Sequence, residues 1–157
     1  MRLSEDIAGF ISRHGVVLIA TMGVDGKIHC SVKGIAGVNL EGKVFVVDLF
    51  KFRTYKNLRL NPMVSITTYD EKKFKGYTLQ GEAKIINRED IKKDIILEWD
   101  RRTIKRISER VISNLRAEAE KDSHHEAELP HQPQYLIEVS VNNIIDLAPP
   151  IYRKKDQ

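Results

Sequence analysis

Two cations and a hydroxyl lie close together about a third of the way along the chain, where a short helix is predicted to begin. Arg53, Thr54 and Lys56 follow the strongly apolar strand predicted at 44–49, in which Asp48 is the one charged residue, and the helix must end before Pro62. The first N–H groups of a helix have no partner within it, and the helix dipole favours negative charge there. The side chains add donors that suit a phosphate. This spacing predicts an anion-binding corner. The alternative is an ordinary solvated connecting helix, because there is no glycine-rich phosphate loop.

The elements around this corner are predicted to be short strands joined by tight turns. Asp-Gly at 25–26 and Glu-Gly at 41–42 indicate hairpins, and Gly34 and Gly37 predict a bulge or a close approach within a strand. A helix over residues 4–14 precedes the strands. Apolar, β-rich segments predict strands at residues 16–21, 28–38, 44–47, 63–69, 74–86 and 135–141, with a turn or bulge at 142–143. We therefore expect a mainly β fold, a small antiparallel barrel with peripheral helices, because closure removes exposed strand edges.

A long helical insertion is predicted at residues 88–121, before the last strands. Its apolar residues follow helical spacing, but the five-residue step from Trp99 to Ile104 breaks that spacing. We therefore expect a kink or boundary at 100–103. The whole of residues 1–150 is interpreted as one domain, followed by a tail at 151–157.

Composition narrows the class of protein. The 157 residues are 41% hydrophobic and carry a net charge of +4, which is compatible with an anionic ligand. Cys30 is the single cysteine, so no internal disulfide can form. No apolar run approaches the roughly 20 residues of a membrane span, and the charged N-terminus lacks the apolar centre of a signal peptide. We expect a cytoplasmic protein that does not interact with membranes.

A histidine cluster and a basic segment could each bind a ligand, but in both cases the sequence favours a residue group without that function. His124, His125 and His131 could ligate a metal, yet their spacing matches no established site, and no metal is predicted. The basic residues between 101 and 116 could bind nucleic acid, but acidic neighbours weaken the patch. We interpret it as a solvated helix face.

Three stretches resemble the FMN-binding split barrel family, the pyridoxamine-phosphate-oxidase-like proteins. Residues 15–27 are similar to the family's first strand and its Asp-Gly hairpin. Arg53-Thr54, followed by Asn-Leu-Arg-Leu-Asn-Pro-Met-Val at 57–64, resembles the phosphate-binding turn and its signature. Residues 76–83 resemble the strand that ends in Gly-x-Ala. The order and spacing of the three stretches together are fairly specific, and they imply an antiparallel split β-barrel of six or more strands.

The resemblance also implies a homodimer that binds FMN at the subunit interface. On this reading the FMN phosphate meets Arg53 and Thr54, with Lys56 one turn along the helix. The flavin ring edge meets the second strand, and the ribityl chain lies along the end of the third. The candidate cofactor-binding residues are therefore Ser31, Val32, Lys33, Val47, Asp48, Leu49, Arg53, Thr54 and Lys56. Lys33 could stabilise negative charge on a reduced ring, or it could be a strand-edge lysine facing water. No catalytic residue is assigned.

The chain departs from the oxidases that act on pyridoxamine phosphate. They carry Arg-Lys where this chain has Arg53-Thr54, and an Arg- and His-rich C-terminal motif that is absent here. That activity is not expected. We expect instead an FMN-dependent oxidoreductase, with NADH or NADPH as electron donor and an unknown acceptor. The alternatives are a barrel that binds deazaflavin, haem or FAD, or a non-enzymatic nucleic-acid-binding or regulatory module.

Overall fold

A computed structural model describes residues 1–117 and 132–152, and they form a closed six-stranded barrel with three helices. The helices are α1 (Glu5–His14), α2 (Arg53–Leu60) and α3 (Lys93–Ala117). The strands are β1 (Val16–Met22), β2 (Ile28–Val38), β3 (Lys43–Asp48), β4 (Met63–Asp70), β5 (Lys75–Asn87) and β6 (Tyr135–Asp146). Short 3₁₀ turns cover Arg88–Asp90 and Pro150–Tyr152. All pairs are antiparallel in the order β1-β2-β3-β6-β5-β4. The predicted mainly β barrel with peripheral helices is confirmed.

Two apolar clusters hold the elements together. The larger fills the barrel, where Ile19, Val44 and Ile137 are fully buried, and α1 contributes Phe10 and Ile11. The smaller lies beneath α3, on the outside of β2 and β3, and consists of Ala36, Val47, Ile91, Trp99 and Leu136. Each buried aliphatic or aromatic side chain contributes roughly 1.5–3 kcal/mol. The barrel is therefore stabilised from within and, on one flank, by α3.

The N-terminal helix forms as its sequence predicts. Ser4 caps it by accepting a hydrogen bond from the Ile7 N–H at 3.3 Å, and Glu5 and Asp6 lie at its positive end. Gly15 ends it at φ 69°, a left-handed conformation that costs glycine little. The chain can then enter β1 directly.

Irregularities in two strands occur where the sequence predicted a bulge. In β2 the register shifts between Ile35 and Gly37. In the β5–β6 pair it shifts at Gln80/Gly81, leaving Asn142 out of the ladder. Such bulges bend strands and help a small barrel to close.

The long helix has no boundary at 100–103, where the sequence predicted a kink or boundary. A break does occur earlier, where Ile91 and Lys92 separate the 3₁₀ turn from α3, but α3 runs continuously from Lys93 through residues 100–103. Ile104 is 65% exposed, whereas Trp99 is 5% exposed. The five-residue step therefore does not mark a helix boundary, because Ile104 is not part of the buried stripe. Arg102, Thr103 and Arg106 continue that stripe instead. Residues 118–121, the end of the predicted insertion, lie outside the described part.

Within residues 1–117 and 132–152, no helix combines the length and apolar character that crossing a membrane requires. The cytoplasmic location remains a prediction from the sequence.

The close approach of β5 and β6 at this bulge gives a stability prediction. A Cβ on Gly81 would overlap the backbone carbonyl of Ser140 on β6. Because a backbone group cannot move without disturbing the barrel, Gly81→Ala should lower the free energy of unfolding by about 1–3 kcal/mol. Urea unfolding followed by the fluorescence of Trp99, the single tryptophan, measures this.

Gly37→Ala is the matched control. It also lies at a bulge, but its added Cβ would be 3.5 Å from Phe45 Cδ2, an ordinary contact. This variant should stay within about 0.5 kcal/mol of the parent protein. Equal losses in the two variants would contradict the account of Gly81.

Candidate functional site

A buried carboxylate, Asp48, ends β3 beside the start of α2. Its Oδ1 accepts hydrogen bonds from Lys33 Nζ at 2.7 Å and from the Phe50 N–H at 3.2 Å. Its Oδ2 accepts one from the Tyr135 hydroxyl at 2.6 Å. The Asp48 side chain is 2% exposed and that of Lys33 is 16% exposed. Burying a charge costs several kcal/mol unless it is paired and hydrogen-bonded, so these three donors are what permit a carboxylate here.

Tyr135 links this carboxylate to α2. It is the first residue of β6 and pairs with Asp48 across the β3–β6 ladder. Its ring meets that of Tyr55 edge-on, with centroids 5.0 Å apart. Burial raises the pKa of Tyr135, and the hydrogen bond to Asp48 raises it further. The phenol therefore stays protonated and donates a hydrogen bond to Asp48 throughout the ordinary pH range.

A pair of hydroxyls connects β2 to the start of α2. Ser31 Oγ and Thr54 Oγ1 are 3.2 Å apart, and Thr54 is buried. Phe52 precedes the helix and provides no side-chain cap. The N–H groups of the first turn are thus left without the side-chain acceptor that usually satisfies one of them. We call Ser31, Lys33, Asp48, Thr54 and Tyr135 the polar corner.

Two asparagines fix the position of α2 against the barrel. Asn57 is buried and its Nδ2 donates to Thr21 Oγ1 of β1 at 3.0 Å. At the end of the helix, Asn61 donates its N–H to the Asn57 carbonyl at 2.8 Å, and its side chain accepts from the Met63 N–H at 3.0 Å. The two asparagines of the Asn-Leu-x-x-Asn-Pro sequence therefore anchor α2 to the barrel and stabilise the turn into β4.

The two cations predicted to bind phosphate are exposed at the rim of this corner. Arg53 is the first residue of α2 and Lys56 lies one turn further on. Among the described residues, no hydrogen bond or ion pair engages either side chain. Both can therefore reach a ligand without first breaking an internal interaction.

The candidate cofactor-binding residues of β2 lie on two different sides of the strand. Ser31 and Lys33 pair with the buried β1 residues Ile19 and Val17, so they share the inner side of β2. Val32 points to the opposite side and is 66% exposed. The structure thus brings Ser31, Lys33, Asp48 and Thr54 together at one corner but not Val32.

The end of β3 offers mainly backbone to a ligand. Val47 is 2% exposed and belongs to the cluster beneath α3. Leu49 is half-buried against the same cluster. With the side chains of Val47 and Asp48 engaged in the interior, a ligand along this strand end would meet main-chain atoms. Their assignment as cofactor-binding residues remains a prediction.

An apolar surface covers the outside of β1, β2 and β4. Leu18 pairs with both Val32 and Thr67, and two shallow cavities of about 540 and 360 Å³ open onto this surface. We call it the apolar face. Its exposed hydrophobic residues, 39–66% accessible, are Val16, Leu18, Met22, Ile28, Val32, Met63 and Tyr69. Continuous exposed apolar surface is typical of an interaction site.

No group of three or more histidine, cysteine or acidic residues that could hold a metal ion occurs within the described ranges. His124, His125 and His131 lie outside those ranges, so the prediction of no metal there stays a prediction.

Sequence reasoning did not identify Tyr135 or the internal partners of Asp48. The prediction that Asp48 contacts a cofactor stays a prediction, and the structure adds that its carboxylate binds Lys33. A signal was present, because an aspartate that ends the apolar strand Val-Phe-Val-Val must find buried partners. The sequence could not identify those partners, since Tyr135 lies 87 residues away. The structure also decides the environment of Lys33, which is not a strand-edge lysine facing water.

The polar corner yields a prediction about Tyr135. In Tyr135→Phe the Asp48 carboxylate loses one of its three donors while remaining buried. We expect the free energy of unfolding to fall by about 1.5–3 kcal/mol, the cost of losing a hydrogen bond to a charged group. Urea unfolding measures the change.

The control for this variant is Tyr69→Phe, because Tyr69 is 58% exposed on β4. It should change stability by less than about 0.5 kcal/mol. A Tyr135→Phe protein as stable as the parent would show that the hydroxyl does not support Asp48.

Comparison with solved structures finds the same fold at low sequence identity. HupZ of Group A Streptococcus superimposes with a TM-score of 0.61 and 14% identity, over 92% of this chain and 94% of that one. A Lactobacillus delbrueckii protein described as a candidate pyridoxamine 5'-phosphate oxidase gives 0.62 and 12%, over 92% and 93%. An F420 reductase gives 0.58 and 16%, over 91% and 98%. At these identities the likeness establishes the fold alone.

The sequence itself matches one family model. A search of the curated proteins found no match. The model of pyridoxamine 5'-phosphate oxidase matches residues 3–136, which include β1 to β5, α3 and the polar corner. The split-barrel resemblance is therefore confirmed, and this chain belongs to the pyridoxamine 5'-phosphate oxidase family.

Proposed function

We propose that this protein is a flavoprotein that binds FMN non-covalently and acts as an oxidoreductase. It would pass electrons or hydride between a reduced nicotinamide and an acceptor. The observation that carries the proposal is the polar corner at the uncapped start of α2, flanked by Arg53, in a chain of this family. When bound, the flavin supplies the redox chemistry, and the protein supplies position and electrostatics.

The corner fits a phosphate group. The first turn of α2 presents backbone N–H groups at the positive end of the helix dipole. The hydroxyls of Ser31 and Thr54 can donate to phosphate oxygens, and Arg53 can pair with them through two parallel hydrogen bonds. Lys56 adds a second exposed cation one turn away. Cations, hydroxyls and unpaired N–H groups thus converge on one place.

Lys33 is suited to act on a bound ring rather than on the phosphate. Its ammonium gives one hydrogen bond to Asp48 and keeps further N–H donors for a ligand. Because Asp48 is fixed by Tyr135 and the Phe50 N–H, the position of this cation is set before any ligand arrives. A preorganised cation stabilises negative charge that develops on a reduced ring without reorganisation.

We further propose that the protein works as a homodimer through the apolar face. A monomer would leave this continuous apolar surface, with two cavities in it, in water. Val32 lies on this face, directly behind the side of β2 that carries Ser31 and Lys33. A ligand beside β2 could therefore contact both subunits. Val32 of one subunit would then contact the same ligand as the other predicted cofactor-binding residues.

The visible spectrum of the purified protein tests the flavin proposal most directly. A yellow protein, or one that becomes yellow with FMN and is bleached by NADH or NADPH, is expected. A protein that stays colourless after incubation with FMN would count heavily against it. Oxidation of pyridoxamine phosphate is not proposed, because Thr54 stands where those oxidases carry lysine.

A second candidate is a deazaflavin in place of FMN. The similarity to an F420 reductase favours it, since the same barrel there belongs to an enzyme named for that cofactor. The polar corner would accept any phosphorylated flavin-like group. Mass spectrometry of the cofactor released from protein made in its native host distinguishes the two, and recovery of FMN alone would reject the deazaflavin.

Arg53 gives the sharpest test of the phosphate position. Arg53→Ala should weaken FMN binding by about 1.5–3 kcal/mol, because a charge-assisted hydrogen bond is lost. Quenching of flavin fluorescence on titration measures the affinity. Arg59→Ala, an exposed arginine in the last turn of the same helix, is the control and should bind FMN normally. Unchanged affinity in Arg53→Ala would place the phosphate elsewhere.

The apolar face gives a prediction about assembly. Val32→Glu should convert the dimer to monomer, because a buried unpaired carboxylate costs several kcal/mol. Sedimentation velocity measures the change. Val24→Glu in the β1–β2 turn, where the side chain is 86% exposed, should leave the dimer intact. A parent protein that is monomeric with and without FMN would refute the proposal.

A further inference from the structure

The ion pair between Lys33 and Asp48 is the most buried one within residues 1–117 and 132–152. Its side chains are 16% and 2% exposed, and Lys33 Nζ lies 2.7 Å from Asp48 Oδ1. The pair of Lys43 and Glu138, which also joins two strands, is 37% and 24% exposed. Water screens buried charges much less than exposed ones. A ligand bound beside Lys33 is therefore affected by the charge of Asp48 as well as by that of the lysine.

Asp48 is held in place by contacts that do not involve Lys33. Its Oδ2 accepts a hydrogen bond from the Tyr135 hydroxyl, and its Oδ1 accepts one from the Phe50 N–H. Tyr135 is fully buried at the start of β6, whereas Lys33 lies on β2. The carboxylate therefore keeps its position when the Lys33 ammonium adds a hydrogen bond to a ligand. Such a ligand meets a paired cation and not a lone one.

A paired ammonium attracts a negative group less strongly than a lone ammonium does. Lys33 keeps N–H donors that Asp48 does not occupy, so it can contact a ligand directly. A group that accepts a hydrogen bond from Lys33 lies nearer to the ammonium than to the carboxylate, which repels it from a greater distance. The carboxylate therefore reduces the attraction without abolishing it.

Reduction of a flavin by a nicotinamide adds negative charge to the ring. A hydride carries two electrons and one proton from the nicotinamide, which is oxidised, and the ring that accepts the hydride gains one negative charge. A fixed cation beside the ring stabilises this charged state. The net charge presented by Lys33 and Asp48 therefore affects how strongly the site prefers the reduced ring to the oxidised one.

We propose that Asp48 is a positioning residue that sets the redox equilibrium of a flavin bound beside Lys33. This role rests on the proposed function, because it requires a flavin at the polar corner. Asp48 holds the Lys33 ammonium at a fixed place and offsets part of its charge. A flavin bound there has a lower reduction potential than it would have beside an unpaired lysine, and it gives up its electrons more readily.

A redox titration of the FMN-loaded protein, followed by its visible spectrum, tests this role. The reduction potential, compared with that of free FMN, gives the preference of the site for reduced over oxidised FMN. In Asp48→Asn the amide oxygen can still accept from Lys33, and the amide NH₂ can donate to the Tyr135 hydroxyl, so only the negative charge is removed. The preference for reduced FMN should rise about tenfold, which equals about 30 mV for a two-electron couple.

Lys33→Gln should have the opposite effect. It removes the cation but keeps an amide that can donate to Asp48. The preference for reduced FMN should fall about tenfold, so the potential should fall by about 30 mV. Tyr135→Phe should also lower the potential, but by less, because the carboxylate loses a donor and offsets more of the Lys33 charge. A purely structural role of Asp48 would instead weaken the binding of oxidised and reduced FMN alike.

Glu138→Gln is the matched control. It also removes a carboxylate from a lysine ion pair between two strands, that of Lys43 at 2.9 Å. Glu138 lies three residues beyond Tyr135, about 10 Å along β6, and points to the outside of the barrel. That separation exceeds the screening length at physiological salt. This variant should leave the preference for reduced FMN within about twofold.

The outcomes separate this role from the proposed function. Opposite shifts in Asp48→Asn and Lys33→Gln, with none in Glu138→Gln, would support it. If the parent binds FMN, shifts of the same direction in the first two variants, or no shift in Asp48→Asn, would overturn this role alone. Should Asp48→Asn fail to fold, an unchanged potential in Tyr135→Phe would also overturn it. A parent protein that does not bind FMN would overturn the proposed function and this role together.

Discussion

The candidate site depends on one interaction, the burial of the Asp48 carboxylate among three donors. Lys33, Tyr135 and the Phe50 N–H come from β2, β6 and the loop after β3, so the carboxylate joins three parts of the chain. A charge in the interior is stable only when such partners are fixed. The same contacts fix the Lys33 ammonium and the turn that leads into α2. The barrel therefore holds two parts of the candidate site, the Lys33 ammonium and the start of α2, in fixed positions.

Packing of α3 against the barrel likewise joins distant parts of the chain, on the outer side of β3. Trp99 can approach β2 closely only because residue 34 is glycine. This contact buries the second apolar cluster and turns Arg102 and Arg106 toward α1. Through Arg102, α3 also binds the backbone carbonyl and the hydroxyl of Ser12 at the end of α1. A single helix in this way adds apolar stability to the fold and ties itself to the end of α1.

The strands and their turns could be predicted because their signals are local. β-branched runs, the Asp-Gly and Glu-Gly hairpins and the capping Ser4 all act within a few residues, and the structure bears them out. The helix boundary predicted at 100–103 does not occur, for a physical reason. Apolar spacing identified Ile104 as buried, but the face of α3 that packs inward carries Arg102 and Arg106, whose stems cover apolar surface while their charged ends find partners.

The sequence by itself determined the barrel class, the place where α2 begins and the grouping of Arg53 and Thr54 there, because these follow from neighbouring residues. Only the tertiary structure decided which distant groups meet. Tyr135 reaches Asp48 across 87 residues and Arg102 reaches Ser12 across 90, through contacts made by the closed barrel and by the docking of α3. Periodicity indicates that a face is buried, but the partner of a buried charge depends on register and packing. These are properties of the whole chain.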